Sequence, residues 1–572
     1  MANFTKLNGY DVKDAVAIHT YDTVASFKAD TKLKVNDHIQ TKGYTSVNDG
    51  GNATYIIVDD ETLIEDGGLI HELTNGLKAV LNVGDFVTPE MFGAYGDGSH
   101  DDSEPIQKAF DSGKAVEFSP KTYICFSLVS NNPLNIRGNG ATLKKPQLDI
   151  EPYNMTVNEM NWIRILTITE DCNIDGVTFD NNCFTMWQVS DGYAQQQSSS
   201  VIARGGSKKI DLIISNCNFK NSASDGLHIV ENINANISNC RSEDCFRGGL
   251  VCTGYGSEIN VDGWNSNVIT TGVHDGIDVE VDSTSSIDPT KFILNINNLI
   301  LDYDLDVYVP ENGKVTMNNV VMRSFDENNI HGFILKSQLN GNLLVANSIL
   351  RSGVPETVQT YPQGGDIYFD NCKFIGNTND PVIRVTQYQP DNITRESILK
   401  ISNCDIEGKN FLQLSKLNLT IEVNNCNVEC TNDCIVANGI TSPHVKNLIL
   451  QNSKFIYNGF FGTFLKNQYA VAGTANVYLY GNIYEATTDS GIKIEGTPEI
   501  YFDNTPFTSA YSLTLGNGAN PKFYGSGRVI IVPTASDLTF RGYVAGDDIA
   551  VAKDTGYRYR YTSGTTWTQI NN

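Results

Sequence analysis

Side chains that can donate or accept protons are concentrated between residues 224 and 308. The candidates for catalysis are two histidines, one arginine and three carboxylates: His228, His274, Arg247, Asp278, Glu280 and Asp304. The candidates for substrate binding are Asp225, Asp275, Asp306 and Tyr308. A carboxylate beside a histidine can orient it as a general acid or base, and an arginine can hold an anionic group of a substrate.

These residue types leave several reactions open. Paired carboxylates about 5–10 Å apart are typical of glycoside hydrolysis. A histidine beside a carboxylate and an arginine equally suits proton abstraction or phosphodiester cleavage. Asp278, Glu280 and Asp282 could instead hold Ca²⁺ through oxygen ligands, although we expect no required cofactor. A solvated acidic strand face without chemistry is the remaining interpretation.

A sequence motif that repeats along the chain predicts where these residues lie in the fold. An apolar alternation ends in Asn at nine positions: Asn216, Asn239, Asn298, Asn319, Asn347, Asn371, Asn403, Asn425 and Asn452. Glycine takes the same place at Gly176, Gly263 and Gly481. Between Asn216 and Asn452 the steps are 21 to 35 residues, which indicates a solenoid with insertions in some copies.

The residue types of each copy predict strands rather than helices. The apolar positions alternate with period two, and none follows a helical stripe. Asn tolerates a left-handed bend and Gly accepts it freely, so one corner of each coil is expected at these positions. We therefore predict an all-β chain with a parallel β-helix from about Val87 to Tyr484. Five cysteines that share the position after the Asn should be buried thiols in its interior: Cys217, Cys240, Cys372, Cys404 and Cys426.

Aligning the coils predicts which side chains share a surface. The stretch 225–230 should stack on 248–253, followed by 275–280 and 305–309. If the aliphatic residues point inward, then the outward residues are His228, Asp278, Glu280, Asp306 and Tyr308. The neighbouring column would hold Ser224, Arg247, His274 and Asp304. A register error of one residue would reverse the face.

Charge and composition exclude some partners. The formal net charge is −25, so we expect no nucleic acid partner, because phosphate binding needs clustered Lys and Arg. The first six residues lack the apolar region of a secretory signal, and no stretch approaches 18 apolar residues, so no membrane insertion is expected. The sequence divides into a β-rich N-terminal module at 1–85, the β-helix at 86–505 and a C-terminal β module at 506–572.

The start of the repeat region carries a further motif. It reads Phe92-Gly93-Ala94-Tyr95-Gly96-Asp97-Gly98, followed by Asp101-Asp102-Ser103 and Ile106-Gln107-Lys108-Ala109. Asp102 or Ser103 can cap a short helix whose apolar face is Ile106, Ala109 and Phe110. This stretch resembles the pectate-lyase-like β-helix superfamily, in the branch of phage tailspikes and neck-appendage proteins.

The resemblance implies a right-handed parallel β-helix, usually a homotrimer, in the adsorption apparatus of a virion. The N-terminal module would join other tail or neck proteins, and the partner at the cell surface would be a bacterial glycopolymer, either capsular polysaccharide or wall teichoic acid. The reaction would be that of a polysaccharide lyase, a glycoside hydrolase or a teichoic-acid phosphodiesterase. A non-enzymatic receptor-binding spike and a free secreted polysaccharide lyase are the alternatives.

Overall fold

The structure is a computed structural model of the 572-residue chain. It describes residues 6–7, 10–11, 18–184, 188–189, 192–193, 197–269, 276–283, 288, 290–302, 305–322, 333–351, 358–376, 381–385, 395–414, 419–432, 434–437, 445–457, 462–464, 476–486, 492–494, 499–502, 513–515, 522–524, 529–532, 549–552, 558–563 and 566–570. These fall into two compact units, Met1–Val251 with Ile269–Val273, and Cys252–Val268 with His274–Asn572. The domain boundaries at 85 and 505 remain predictions.

The first unit begins with a small mixed sheet. Its strands, in spatial order, are Ile18–Tyr21, His38–Thr41, Thr54–Val58, Lys78–Leu81 and Ile70–Glu72. The helix Val24–Lys28 packs its Val24 and Phe27 side chains into the core of this module. Two further short strands, Lys6–Leu7 and Tyr10–Asp11, pair with each other.

Stacked parallel strands follow in the first unit. One sheet contains Phe86–Val87, Asp97–Asp101, Ala115–Glu117, Thr122–Ile124, Leu134–Arg137, Thr142–Lys144, Cys172–Asp175, Thr178–Asp180, Ile210–Ser215, Asn218–Lys220 and Ile233–Glu243. The other contains Leu128–Ser130, Leu166–Ile168, Val201–Ala203, Asp225–Ile229 and the start of Gly248–Gly254. The remaining elements are the helices Ser103–Asp111 and Val157–Met160, the 3₁₀ turn Pro89–Phe92 and the hairpin of Gln188–Val189 with Gly192–Tyr193.

The second unit has the same two-sheet arrangement. One sheet contains Ser257–Asn267, Phe292–Leu301, Lys314–Met322, Asn342–Ala346, Ile349–Arg351, Asp366–Asp370, Lys373–Ile375, Ser397–Ser402, Asp405–Gly408, Leu419–Asn424, Asn427–Cys430, Val445–Gln451, Lys454–Tyr457, Asn476–Tyr480, Ile483–Ala486, Glu499–Phe502 and Lys522–Tyr524. The other contains Ile277–Ser283, Leu305–Val309, Phe333–Ser337, Val358–Pro362, Pro381–Val385, Asn410–Leu414, Ile435–Ala437, Gly462–Phe464, Ile492–Ile494 and Leu513–Leu515. A four-stranded sheet of Val529–Val532, Ile549–Ala552, Arg558–Ser563 and Thr566–Ile570 ends the chain.

Strand connectivity confirms the predicted β-helix. In both units the strands of one coil pair in parallel with those of the next, as in Ile210–Ser215 on Ile233–Glu243 and Asn342–Ala346 on Asp366–Asp370. The inward positions are aliphatic and aromatic, and Phe179 stacks on Phe219 one coil away with ring centroids 5.4 Å apart. Among the described residues we find no helix with the length and apolar composition that crossing a bilayer requires.

The predicted corner residues bend as expected. Every one of the nine asparagines has a positive φ, between 51° and 58°, and Gly176, Gly263 and Gly481 have φ of 71°, 80° and 61°. Their side chains bond along the column, since the amide of Asn371 donates to Asn347 Oδ1 at 2.6 Å and that of Asn425 donates to Asn403 Oδ1 at 2.8 Å. The column therefore combines tolerance of the left-handed region with hydrogen bonds between coils.

Replacing one of these corner residues tests their contribution. We expect Asn371→Ala to lower the free energy of unfolding by about 1–2 kcal/mol, because alanine is strained in the left-handed region. Asn371→Gly should cost less, since glycine adopts this φ without strain. Denaturant unfolding under reducing conditions measures both. Asn427→Ala, an exposed strand position, is the control, and an equal loss there would contradict a special corner role.

The predicted interior thiols are confirmed. All twelve cysteines are free, and the five at the repeat position are buried. They take part in bonds between coils: the backbone N–H of Cys372 donates to Cys404 Sγ at 3.4 Å, and that of Cys426 donates to Ser453 Oγ at 3.0 Å. A small polarizable side chain thus fills this interior position, and at Cys404 it also accepts a backbone hydrogen bond.

The motif helix forms as predicted, but Asp102 acts differently. Its helix, Ser103–Asp111, buries Ile106, Ala109 and Phe110. The Asp102 carboxylate makes no cap bond and is fully buried. It accepts hydrogen bonds from the backbone N–H groups of Tyr95 at 2.6 Å and Gly96 at 3.1 Å. The expected cap is therefore wrong for its side chain, because the preceding glycine-rich turn provides closer donors.

A buried histidine makes the N-terminal module sensitive to acid. His71 is 1% exposed, and burial lowers its pKa from the ordinary 6.5 to about 4. The unfolded chain therefore binds a proton that the folded chain does not, so stability is lost as the pH falls below 6.5. Between pH 7 and 4.5 this loss should reach about 2–3 kcal/mol. We expect His71→Phe to remove that part of the pH dependence in thermal melts, and an unchanged slope would contradict it.

Candidate functional site

Two adjacent strands of the second unit bring four predicted site residues together. The strands Ile277–Ser283 and Leu305–Val309 pair in parallel. Their register places Asp278 opposite Asp306 and Glu280 opposite Tyr308, as the coil alignment predicted. We call these four residues the carboxylate face.

The alternation of burial confirms that this face points outward. Ile277, Val279, Leu305 and Val307 are at most 1% exposed. On the opposite side of the strands, Asp278, Asp306 and Tyr308 are half-buried and Glu280 is exposed. Because paired residues of neighbouring strands are about 4.8 Å apart, the Asp278 and Asp306 side chains are neighbours on the outer face of these strands.

The Tyr308 phenol adds a proton donor to this surface. Burial, followed by the charges of Asp306, Glu280 and Asp278, raises its pKa to about 12. The Lys336 ammonium lies 5.0 Å from the centre of the Tyr308 ring, where a cation is attracted by the ring face. The phenol therefore keeps its proton at neutral pH and can act as a hydrogen-bond donor.

Three other predicted residues meet in the first unit. The Asp225 carboxylate accepts a hydrogen bond from Ser199 Oγ at 3.0 Å. His228 Nδ1 lies 3.4 Å from Asp225 Oδ2, and Arg247 Nε lies 3.5 Å from Asp225 Oδ1. The backbone N–H of Arg247 donates to Ser224 O at 3.0 Å, in agreement with the predicted stacking of those two residues. We call Ser199, Asp225, His228 and Arg247 the Asp225 cluster.

This cluster is more enclosed than the sequence predicted. Asp225 is 0% exposed and His228 is 9% exposed, and Ile202, which pairs with His228, is also buried. The prediction that His228 lies on an open surface is therefore wrong, because the outer face of this coil is covered. Period-two alternation separates the two faces of a strand but does not show what packs on the outer one.

Burial also sets the protonation state of His228. Desolvation lowers its pKa, and the charges of Arg247, Arg164 and Arg204 act in the same direction, while Asp225 opposes them. The imidazole is therefore neutral at neutral pH and could accept a proton. An enclosed carboxylate, however, is better placed to hold neighbouring side chains than to meet a polymer.

Some predicted residues lie outside what the structure describes. These are His274, Asp275 and Asp304, and for Asp282 only the strand position is known. No group of three potential metal ligands is found among the described residues, and the calcium alternative of Asp278, Glu280 and Asp282 remains a prediction. Their assigned roles, like those of the other candidates, remain predictions.

Sequence reasoning missed several polar residues near the Asp225 cluster. Ser198, Ser199 and Ser200 are all fully buried, and burial lowers the pKa of Arg164, with Arg204 adding to the effect. The register that pairs Val201 with Leu227 continues to Ser199 opposite Asp225, and the run of three serines directly before that aliphatic strand was the signal in the sequence.

No protein-family model matches the chain. A sequence relative, the capsule K30/K69-specific Depolymerase 1 of Klebsiella phage K5-2, is 26% identical over 195 residues. That match covers 33% of this chain and 23% of the relative, so the chain matches only about a quarter of the relative's length.

Solved structures with similar folds include enzymes and phage proteins. The glycan biofilm modifying enzyme WceF of Pantoea stewartii has a bacteriophage tailspike-like parallel β-helix fold; the TM-score is 0.41 at 12% identity, covering 67% of this chain and 51% of that one. The tailspike gp49 of Acinetobacter baumannii phage Fri1, a capsular polysaccharide depolymerase, gives 0.34 at 13% identity, covering 83% and 76%. The parallel pairing of successive coils makes the chain a parallel β-helix protein, and over 195 residues it is similar in sequence to a phage capsule depolymerase.

Proposed function

We propose that this protein binds and cleaves a bacterial capsular polysaccharide, with Asp278 and Asp306 as the acid–base pair. The observation that carries the proposal is the in-register pairing of these two carboxylates on the half-buried outer face of stacked strands. Support for the substrate class comes from the relative and the tailspike named above, whose described activity is capsule depolymerisation.

The pair has the parts that glycoside hydrolysis requires. One carboxyl group would donate a proton to the leaving oxygen, while the other stays charged and attacks or stabilises the sugar. Neighbouring strands about 4.8 Å apart favour the short carboxyl spacing of retaining enzymes over the longer spacing that leaves room for a water. We therefore expect retention at the anomeric carbon. Tyr308 would donate a hydrogen bond to the bound sugar.

Product analysis tests both the polymer and the reaction. Purified protein is incubated with capsular polysaccharide and, separately, with wall teichoic acid, and the products are identified by mass and NMR. New reducing ends in the capsule reaction are the expected result. An unsaturated terminal sugar would assign a lyase, and released phosphate esters from teichoic acid would assign a phosphodiesterase. Binding to cells without cleavage of either polymer would mean a receptor-binding spike.

The assembly and location belong to the same proposal. A homotrimer attached to the virion tail or neck through residues 1–85 would present several copies of the site to the cell surface. Light scattering should give three times the 62.8 kDa chain mass, and a monomer at micromolar concentration would contradict the trimer. Antibody detection on purified virions would separate a tail protein from a free secreted lyase.

A further inference from the structure

The first unit contains a cavity lined in part by a buried lysine, Lys145, which has no acidic partner among the described residues. The cavity has a volume of about 200 Å³, and its lining includes Lys145, Met160, Asn181 and Phe184. Lys145 is 4% exposed, and its ammonium group donates to Ser198 Oγ at 2.9 Å. Ser198 is itself fixed, because its hydroxyl donates to Ile163 O at 2.6 Å.

The Lys145 ammonium group has more N–H donors than the described residues have acceptors for it. A lysine ammonium carries three N–H donors, and Ser198 Oγ is the acceptor that the described residues provide. None of their carboxylates forms an ion pair with Lys145, and the one carboxylate in the lining, Asp149, is exposed. Burial lowers the pKa of Lys145 to about 8, as expected for a cation removed from water without a counterion.

A second buried polar group in the lining, the side-chain oxygen of Asn181, needs a hydrogen-bond donor rather than an acceptor. Asn181 is 0% exposed, and its amide N–H donates to Ser198 O at 3.0 Å. That bond fixes the amide orientation, and Asn181 Oδ1 has no hydrogen-bond partner among the described residues. A buried acceptor without a donor is costly, so a ligand hydroxyl at this position would be favourable.

The mouth of the cavity offers an aromatic surface. Phe184 lines it and is 68% exposed. An exposed ring beside polar groups can pack against the C–H face of a sugar. The ligand that matches all three features carries an anionic oxygen for Lys145, a hydroxyl for Asn181 and an apolar face for Phe184.

We propose that this cavity binds an acidic monosaccharide unit, a hexuronate, through Lys145, Asn181 and Phe184. Inorganic phosphate at neutral pH would satisfy the ammonium group but offers no apolar face for Phe184, and a neutral sugar would leave the buried cation without a counterion. The inference rests on the proposed function, because the hexuronate would be a residue of the polymer that the carboxylate face cleaves. The inference also predicts that the polymer is acidic. Because the protein has a net charge of −25, a local cation is needed to bind such a polymer.

Binding is tested with free sugars, which separates it from cleavage. D-glucuronate is titrated into the full chain by calorimetry and ligand-observed NMR, with glucose and inorganic phosphate as comparison ligands. We expect saturable glucuronate binding that Lys145→Met weakens about tenfold or more, because a charge-assisted hydrogen bond is lost. Lys144→Met, the adjacent half-buried lysine, is the matched control and should bind as the wild type does.

A second variant keeps the test decisive if Lys145→Met misfolds. Phe184→Ala changes an exposed side chain and should fold normally while weakening glucuronate binding several-fold. Equal binding of glucose, equal binding of phosphate, or no saturable binding at all would each overturn the inference. Asp278→Asn should retain glucuronate binding, because binding and cleavage use different residues. If the wild-type protein binds glucuronate in a Lys145-dependent way but cleaves no polymer, this binding site is supported and the proposed function is refuted.

Discussion

Polymer cleavage should fall by about a hundredfold or more in Asp278→Asn and in Asp306→Asn, the scale usual for acid–base groups. Each amide keeps the shape of the side chain but can neither carry the charge nor deliver the proton. The double variant should be little slower than either single variant, because residues that act as one unit are not additive. Initial rates of reducing-end formation, with folding checked by thermal melting, measure the effect.

A matched control lies elsewhere in the same unit. Glu407 and Glu429 also pair in register on adjacent coils, and both are exposed. We expect Glu429→Gln to cleave at the wild-type rate, which would show that an acidic pair alone is insufficient. Wild-type cleavage by both Asp278→Asn and Asp306→Asn would move the site elsewhere. His274→Ala is then the next variant to measure, since that residue was also predicted to be catalytic.

The second large effect concerns stability. Asp225→Ala should lower the free energy of unfolding by about 1–3 kcal/mol, because it removes a fully buried carboxylate and leaves the buried Ser199 hydroxyl without its acceptor. Arg247 would lose the carboxylate that its Nε faces at 3.5 Å, and Ser199 would lose the acceptor of its hydroxyl. Asp225→Asn should cost less, since the amide oxygen can still accept the Ser199 hydrogen bond.

Unfolding in denaturant, under reducing conditions, measures the Asp225 variants. Asp211→Ala is the control, because that aspartate is exposed on a strand of the neighbouring sheet, and surface changes usually stay within about 0.5 kcal/mol. Normal stability of Asp225→Ala combined with lost cleavage would reverse our assignment and make the Asp225 cluster catalytic. Loss of stability with cleavage per folded molecule preserved would support its structural role.

The corners and the register could be predicted from the sequence because every coil of a solenoid makes the same bend and the same strand. Each coil needs a residue that tolerates positive φ at the same place, so Asn and Gly mark it, and Gly481 fits because the alternating Val477 and Leu479 precede it as in the other copies. Matching the aliphatic positions of two successive strands, Ile277 and Val279 with Leu305 and Val307, places Asp278 opposite Asp306.

Contacts made outside the repeated pattern could not be predicted in this way. The burial of His228 depends on what covers its coil, and the carboxylate of Asp102 turns to Tyr95 and Gly96 because that turn folds back beside it. Lys145 follows another lysine and precedes a proline, and no feature of that stretch predicts that its ammonium group is buried. Its partner Ser198 is 53 residues away, a separation that no local pattern encodes.

The interior cysteine column has a consequence for handling the protein. In the folded chain the thiols of Cys372, Cys404 and Cys426 are shielded from oxidants, since each is at most 3% exposed. Unfolding exposes them together with the other nine, and air oxidation then joins sulfurs that the native coils hold as separate thiols. Denaturation in air thus becomes irreversible, and equilibrium measurements require a reductant throughout.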